Sequence, residues 1–214
     1  MIVYFLSGLG ADERAFEKIS LPDGYEMQHI PWEPVKGYES IDAYAKYLSY
    51  NIDTTKPFML AGLSLGGLVA IEISKIVEPE LLILFSTIHT QKNLPAIYRI
   101  AGKLRLYKFL HSALLSVTLP FLYWFFGPVD NKGRQLIASF LKQTDPVFLK
   151  WAIKQISRWE NIEIVKRSLQ IHGSKDRTFP VSLIKPDYII EGGGHFCVFT
   201  HASEINLLLK KELG

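Results

Sequence analysis

The sequence predicts an α/β protein built on a mostly parallel sheet of about six strands, and three observations carry that prediction. Six short apolar runs recur along the chain, most of them continuous rather than alternating, which is the pattern of strands covered on both faces. Helical patterns fall between them, an alternation that gives a doubly wound sheet. The chain has 214 residues, 48% of them apolar and 21% charged, enough for one substantial core and unlike a disordered protein.

The elements follow in order. Ile2 to Leu6 (IVYFL) reads as a strand and not as a signal peptide, because MIVYFLSGLG lacks a charged lead and a full apolar core. Glu26 to Ile30 is the second strand, followed by a helical pattern from Ser40 to Asn51. Phe58 to Ala61, the third, runs through a glycine cluster into a helix from Leu65 to Val77. Leu81 to Phe85, Ser168 to Ile171 and Asp187 to Ile190 complete the sheet, and a closing helix is expected from Ala202 to Glu212.

Between the fourth and fifth strands the alternation fails. Residues 89–161 hold helical stretches broken at Pro95, Pro120, Gly127-Pro128 and Asp145-Pro146, with no strand pattern. A structureless loop of that length is foreign to a compact domain. The expected organisation is therefore a core of residues 1–88 and 162–214 with a helical lid inserted at 89–161.

Charge is unevenly spread. The net charge is only +3, which makes no demand for nucleic acid, yet residues 89–160 carry 11 Lys or Arg against 3 Asp or Glu. Arg99, Lys103, Arg105 and Lys108 recur at helix spacing before an uncharged run, residues 109–129. An anionic substrate, a phosphopantetheine carrier, acidic lipid or a plain solvated helix face would each account for these cations. Pro120 divides the uncharged run, which favours a pocket-lining lobe over a membrane span. Side chains such as Leu110, Leu114, Leu115, Trp124, Phe125 and Phe126 suit an apolar or acyl substrate, or peripheral contact of the lid with a membrane surface. The single cysteine, Cys197, leaves no disulfide framework within the chain and suits a reducing compartment, so a cytoplasmic location is expected.

Three places stand out chemically. In GLSLGG, Ser64 follows the third strand and opens a helix, with Gly62 and Gly66 two residues to either side where side chains would collide across a sharp turn. Such an elbow lifts a hydroxyl from the sheet's carboxyl edge into the field of a helix N-terminus. A serine needs a base. Of six histidines, structural roles are expected for His29, His89, His111 and His201, whereas His195 lies in EGGGHF just past the last strand, at the edge where α/β proteins place their chemistry. An acid to orient that imidazole is available as Asp176 in HGSKDRTFP, after the fifth strand; the corresponding loop after the fourth reads FSTIHT and has no carboxylate. Two oxyanion donors are expected, the N–H of Leu65 and that of Leu9 in SGLGADE. The Gly8-x-Gly10 pair in that loop lacks the third glycine of a dinucleotide fingerprint, because Glu13 stands there, and Asp12 suits a helix N-cap.

The order Ser64, Asp176, His195, with the elbow GLSLGG, the acid loop HGSKDRTFP and the histidine loop GGGHF, resembles the α/β-hydrolase superfamily over nearly the whole chain. Two departures accompany the likeness. The family usually opens with two further strands, so this chain is similar to a version trimmed at its N-terminus. The family's frequent His-Gly in the oxyanion loop is Ser7-Gly8 here. The resemblance implies acyl transfer to water from esters, thioesters or amides on a Ser-His-Asp triad, with no metal or organic cofactor. Carbon–carbon bond hydrolysis or lyase chemistry on the same triad, and a ligand receptor with an idle triad, are the alternatives. Oligomeric state has no signature in the sequence.

Overall fold

The structure, a computed structural model, describes residues 1–35, 37–109 and 119–214. The expected pocket residues Leu110, Leu114 and Leu115, and His111, lie outside the described residues.

Six strands form one sheet: β1 (Ile2–Leu6), β2 (Glu26–His29), β3 (Phe58–Leu63), β4 (Leu82–Phe85), β5 (Ser168–Gly173) and β6 (Tyr188–Ile190). Their order is β2-β1-β3-β4-β5-β6, and every pairing is parallel. All six are the strands expected from the sequence, within one or two residues at each end. The continuous apolar runs are explained by burial on both faces. Tyr4, Leu6, Leu60 and Leu84 enter a core shared with α1 (Ile41–Ser49) and α2 (Leu65–Ser74). Val3, Phe5, Ala61 and Phe85 enter a second core on the opposite face.

All the described elements between β4 and β5 are helical: α3 (Ala96–Lys103), α4 (Leu119–Phe126), α5 (Asn131–Gln143) and α6 (Pro146–Arg158), with short 3₁₀ turns at Gln91–Asn93 and Leu106–Phe109. Asp130 and Asp145 cap α5 and α6 by accepting from the backbone of Gly133 and Val147, and Pro146 sits at the first position of α6, where its missing N–H costs no helical hydrogen bond. Helix α6 fastens the segment to the core. Trp151 Nε1 donates to Tyr38 O at 2.8 Å, Gln155 Nε2 to Glu39 O at 2.9 Å, and Trp159 Nε1, just past the helix, to the buried carboxylate of Glu72 at 2.8 Å. The chain closes with a single turn, α7 (Cys197–Thr200), and α8 (Ala202–Leu213). Among the described residues no helix is long and apolar enough to cross a membrane.

The connectivity reverses at β1. From β1 the chain moves outward to β2, then returns to place β3 on the other side of β1. The loops leaving the carboxyl ends of β1 and β3 therefore meet at the switch point, where open α/β sheets form their binding crevices.

Candidate active site

Ser64 joins β3 to α2 with φ 53° and ψ −115°, a left-handed conformation that an L-residue adopts only when its surroundings compel it. Those surroundings are the three glycines. A Cβ on Gly62 would lie 2.5 Å from Gly66 O, one on Gly66 2.2 Å from Leu6 O, and one on Gly67 2.5 Å from Thr87 Cγ2. The elbow is thus wedged among β1, Thr87 just past β4 and its own helix. Ser64 N donates to Phe85 O at 3.0 Å, and Thr87 Oγ1 donates to Ser64 O at 2.7 Å, which fixes the backbone on both sides of the side chain.

The three residues expected to meet do so. His195 Nε2 lies 2.9 Å from Ser64 Oγ, and His195 Nδ1 lies 2.7 Å from Asp176 Oδ2. All three are buried. The other carboxylate oxygen, Oδ1, accepts from the backbone N–H of Thr178 at 2.8 Å and of Phe179 at 2.9 Å. Burial pushes the Asp176 carboxyl upward, but the charge of His195 and hydrogen bonds from His172 and His195 outweigh it and hold the group at about 2, so it stays ionised. An ionised carboxylate can only accept at Oδ2, so His195 carries a proton on Nδ1, and in its neutral form it presents Nε2 to the serine as an acceptor.

His172, on β5, is a participant that the sequence reading left without a role. Its Nε2 lies 2.7 Å from Phe179 O and 3.1 Å from Asp176 Oδ2. A carbonyl oxygen accepts only, so Nε2 bears a proton and shares it between the two. Oδ2 of the acid is therefore bonded to two imidazoles. The only available signal was spacing: His172 stands four residues before Asp176, at the carboxyl end of a buried strand.

The loops carrying acid and base are stitched to the end of α4. Phe126 O accepts from His195 N at 2.6 Å, Phe125 O from Thr178 Oγ1 at 3.2 Å, and Trp124 O from Arg177 Nη1 at 3.1 Å. The imidazole of His195 makes T-shaped contacts with two rings, Phe126 at 5.2 Å and Phe179 at 5.6 Å between centroids. Tyr98, on α3, lies over Phe179 and Phe125 at 6.4 Å from each ring. Burial, and then the charge of Asp176, push its hydroxyl upward, so it remains a neutral donor.

The loop after β1 passes close to the serine: a Cβ on Gly8 would lie 3.7 Å from Ser64 Cβ. Ser7 Oγ donates to Ala11 O at 2.6 Å, and Gly8 O accepts from Ala11 N and from Trp32 Nε1, each at 3.0 Å. Because a trans peptide holds C=O and N–H on opposite sides, the Leu9 N–H is directed away from Trp32. Leu65 opens α2, and its N–H has no acceptor within the helix. Asp12 caps the following 3₁₀ turn, as its position suggested, by accepting from Arg14 N.

This architecture is the α/β-hydrolase fold. Among similar solved structures is a thermophilic esterase from Thermogutta terrifontis, with TM-score 0.70 and 16% identity, covering 100% of this chain and 89% of that one. Another is Est816, described as an N-acyl homoserine lactone degrading enzyme, with TM-score 0.70, 17% identity, and coverage of 98% and 92%. A third is a lipase-esterase related protein from Clostridium acetobutylicum, with TM-score 0.68, 14% identity, and coverage of 98% and 93%. No protein-family model matches the sequence, and no curated protein matches it. The likeness at these identities is one of fold.

Proposed function

We propose that this chain is a serine hydrolase of carboxylic esters or thioesters that works through an acyl-enzyme on Ser64. The observation that carries the reading is the unbroken run of hydrogen bonds from Asp176 through His195 to a serine held in a left-handed turn. Ser64 Oγ attacks the substrate carbonyl while His195 Nε2 takes its proton, and Asp176 stabilises the imidazolium that forms. The N–H groups of Leu65 and Leu9 bind the oxyanion. His195 then returns the proton to the leaving alcohol or thiol, and repeats the cycle with water to release the acid. Residues 89–161 act as a lid, whose Tyr98, Phe125 and Phe126, with Phe179 of the core, supply an apolar wall suited to an acyl or aromatic group. The names of the similar structures, an esterase and a lactone-degrading enzyme among them, agree with an ester substrate.

A fluorophosphonate probe and a series of nitrophenyl esters graded by acyl length test the reading. Wild type should be labelled and should turn over at least one ester, and Ser64→Ala should lose labelling and at least about 10⁴-fold in kcat while remaining folded. Folded wild type that resists the probe would identify a receptor with an idle triad, and Ser64→Ala with wild-type turnover would remove Ser64 from the chemistry.

A further inference from the structure

Helix α3 has its apolar stripe on the outside. Its inner face is Tyr98, over the rings of Phe125 and Phe179, and Gly102, where a Cβ would lie 2.4 Å from Ser157 O on α6, so α3 is pressed closely onto the helix beneath. Its outer face carries Ile97, Ile100 and Leu104, exposed by 67%, 56% and 63% and spaced to form one stripe, which Leu106 extends. Four exposed cations, Arg99, Lys103, Arg105 and Lys108, lie on the same segment, two of them on α3 and two just past it. Residues 81–129 contain no Asp or Glu. Scattered exposed apolar residues need no explanation, but an ordered stripe on a segment whose only charges are positive does.

We propose that α3 docks this protein on an anionic lipid surface. Ile97, Ile100 and Leu104 enter the boundary between headgroups and acyl chains, and the four cations lie at the level of the lipid phosphates. A helix with apolar residues on one side and Lys or Arg beside them is the form that lies in a membrane interface. A second copy of the chain fits less well, because a twofold contact through this face would bring the two sets of cations together. Nucleic acid would satisfy the charges but leave the isoleucines and leucine without a role. The placement also has a consequence for substrate. Tyr98, on the inner side of the same helix, covers Phe179, which touches the His195 ring. A docked bilayer would therefore be separated from the triad by the thickness of α3, ~10 Å, and the ring of Phe179. That the bilayer supplies a lipophilic ester rests on the hydrolase reading; the docking does not.

Co-sedimentation with phosphatidylcholine vesicles, with and without 30 mole per cent phosphatidylglycerol, tests the docking at about 0.1 M salt. Wild type should pellet with the anionic vesicles and mostly stay in solution with the neutral ones, and raising the salt to about 0.5 M should weaken binding severalfold. The pair Ile100→Ser and Leu104→Ser should lower the partition coefficient at least tenfold, and Arg99→Gln with Lys103→Gln about fivefold per charge removed. None of these positions touches the triad, so fluorophosphonate labelling in vesicle-free buffer reports folding separately. Wild type that never pellets with anionic vesicles overturns the proposal, as does binding that the stripe variants leave unchanged. A dimer in vesicle-free buffer that Ile100→Ser converts to monomer would also overturn it, by assigning the stripe to a subunit contact. Loss of labelling by wild type would instead remove the hydrolase reading and leave the docking result standing.

Discussion

The two halves of the site are held by different parts of the molecule. Ser64 is fixed from within the core, by a carbonyl of β1 against Gly66, by Thr87 against Gly67 and by its own hydrogen bond to β4. Asp176 and His195 sit on loops whose outer contacts go to the end of α4, through the carbonyls of Trp124, Phe125 and Phe126. The nucleophile thus depends on the sheet, and the acid–base pair depends on the helical segment as well. Disturbing one support should therefore damage stability, and disturbing the other should damage catalysis.

Gly66→Ala tests the first half and should have the largest effect. Its methyl would lie 2.2 Å from Leu6 O and 2.3 Å from Ser7 O, backbone atoms of β1 and its exit that cannot move without opening the sheet. A loss of about 3 kcal/mol is expected, read as a fall of about 10 °C in Tm. Thermal stability equal to wild type would show that the elbow is not wedged as described. Gly127→Ala tests the second half. Gly127 has φ +77°, and a methyl there would lie 2.3 Å from Lys175 O, next to the acid. Pushing that loop out of line by about 1 Å should cost about a hundredfold in kcat, with a smaller fall in Tm than for Gly66→Ala. Full activity in this variant would detach the acid loop from α4.

The halves also differ in their response to acid. Nothing in the elbow titrates, whereas Asp176 is lowered from its ordinary 3.8 to about 2. A depressed carboxyl stabilises the fold above its unfolded value, and that contribution is lost as pH falls through the folded value. Asp176 should therefore contribute about 2 kcal/mol at neutral pH, declining from about pH 4 toward pH 2. Urea unfolding of wild type and Asp176→Asn at pH 7, 5, 4 and 3 measures it, and the gap between them should narrow only at the acid end. A gap constant with pH would mean that Asp176 is not held ionised by its neighbours.

Sheet, helix order and the three meeting residues were legible because each leaves a side-chain trace: apolar runs, a glycine cluster around Ser64, and His195 and Asp176 in polar loops after strands. The support from α4 was not legible, because it is made with backbone carbonyls, which look the same whatever residue bears them. Residues 109–129 registered only as apolar and uncharged. The outward stripe of α3 was equally hidden, since Ile97, Ile100 and Leu104 have the spacing of a buried face, and only the packing of Tyr98 and Gly102 shows which side is inside. His172 was concealed for a third reason. A histidine within a buried strand reads as structural until its partners are known.

His172 bears on the smallest expected effect and on the boundary between the two halves, because it reaches Asp176 from the sheet. It holds the acid at Oδ2, the same oxygen that meets His195, donating from Nε2 to Asp176 and to Phe179 O, while its Nδ1 has no hydrogen-bond partner among the described residues. Replacing it by phenylalanine would fill the space but remove the donor, leaving Phe179 O without that partner and Oδ2 bonded to His195 alone. The carboxylate would then be freer to swing, and His195 with it. Expected is a fall of about tenfold in kcat with KM nearly unchanged, because the substrate touches neither group. His172→Gln, whose amide can reach the same two oxygens, should recover most of the loss. The acid limb of the kcat/KM profile should move in His172→Phe and return toward wild type in His172→Gln. If both variants lower Tm alike and leave kcat and the profile alone, His172 is a packing residue, and Asp176 takes its position from α4 and its own loop.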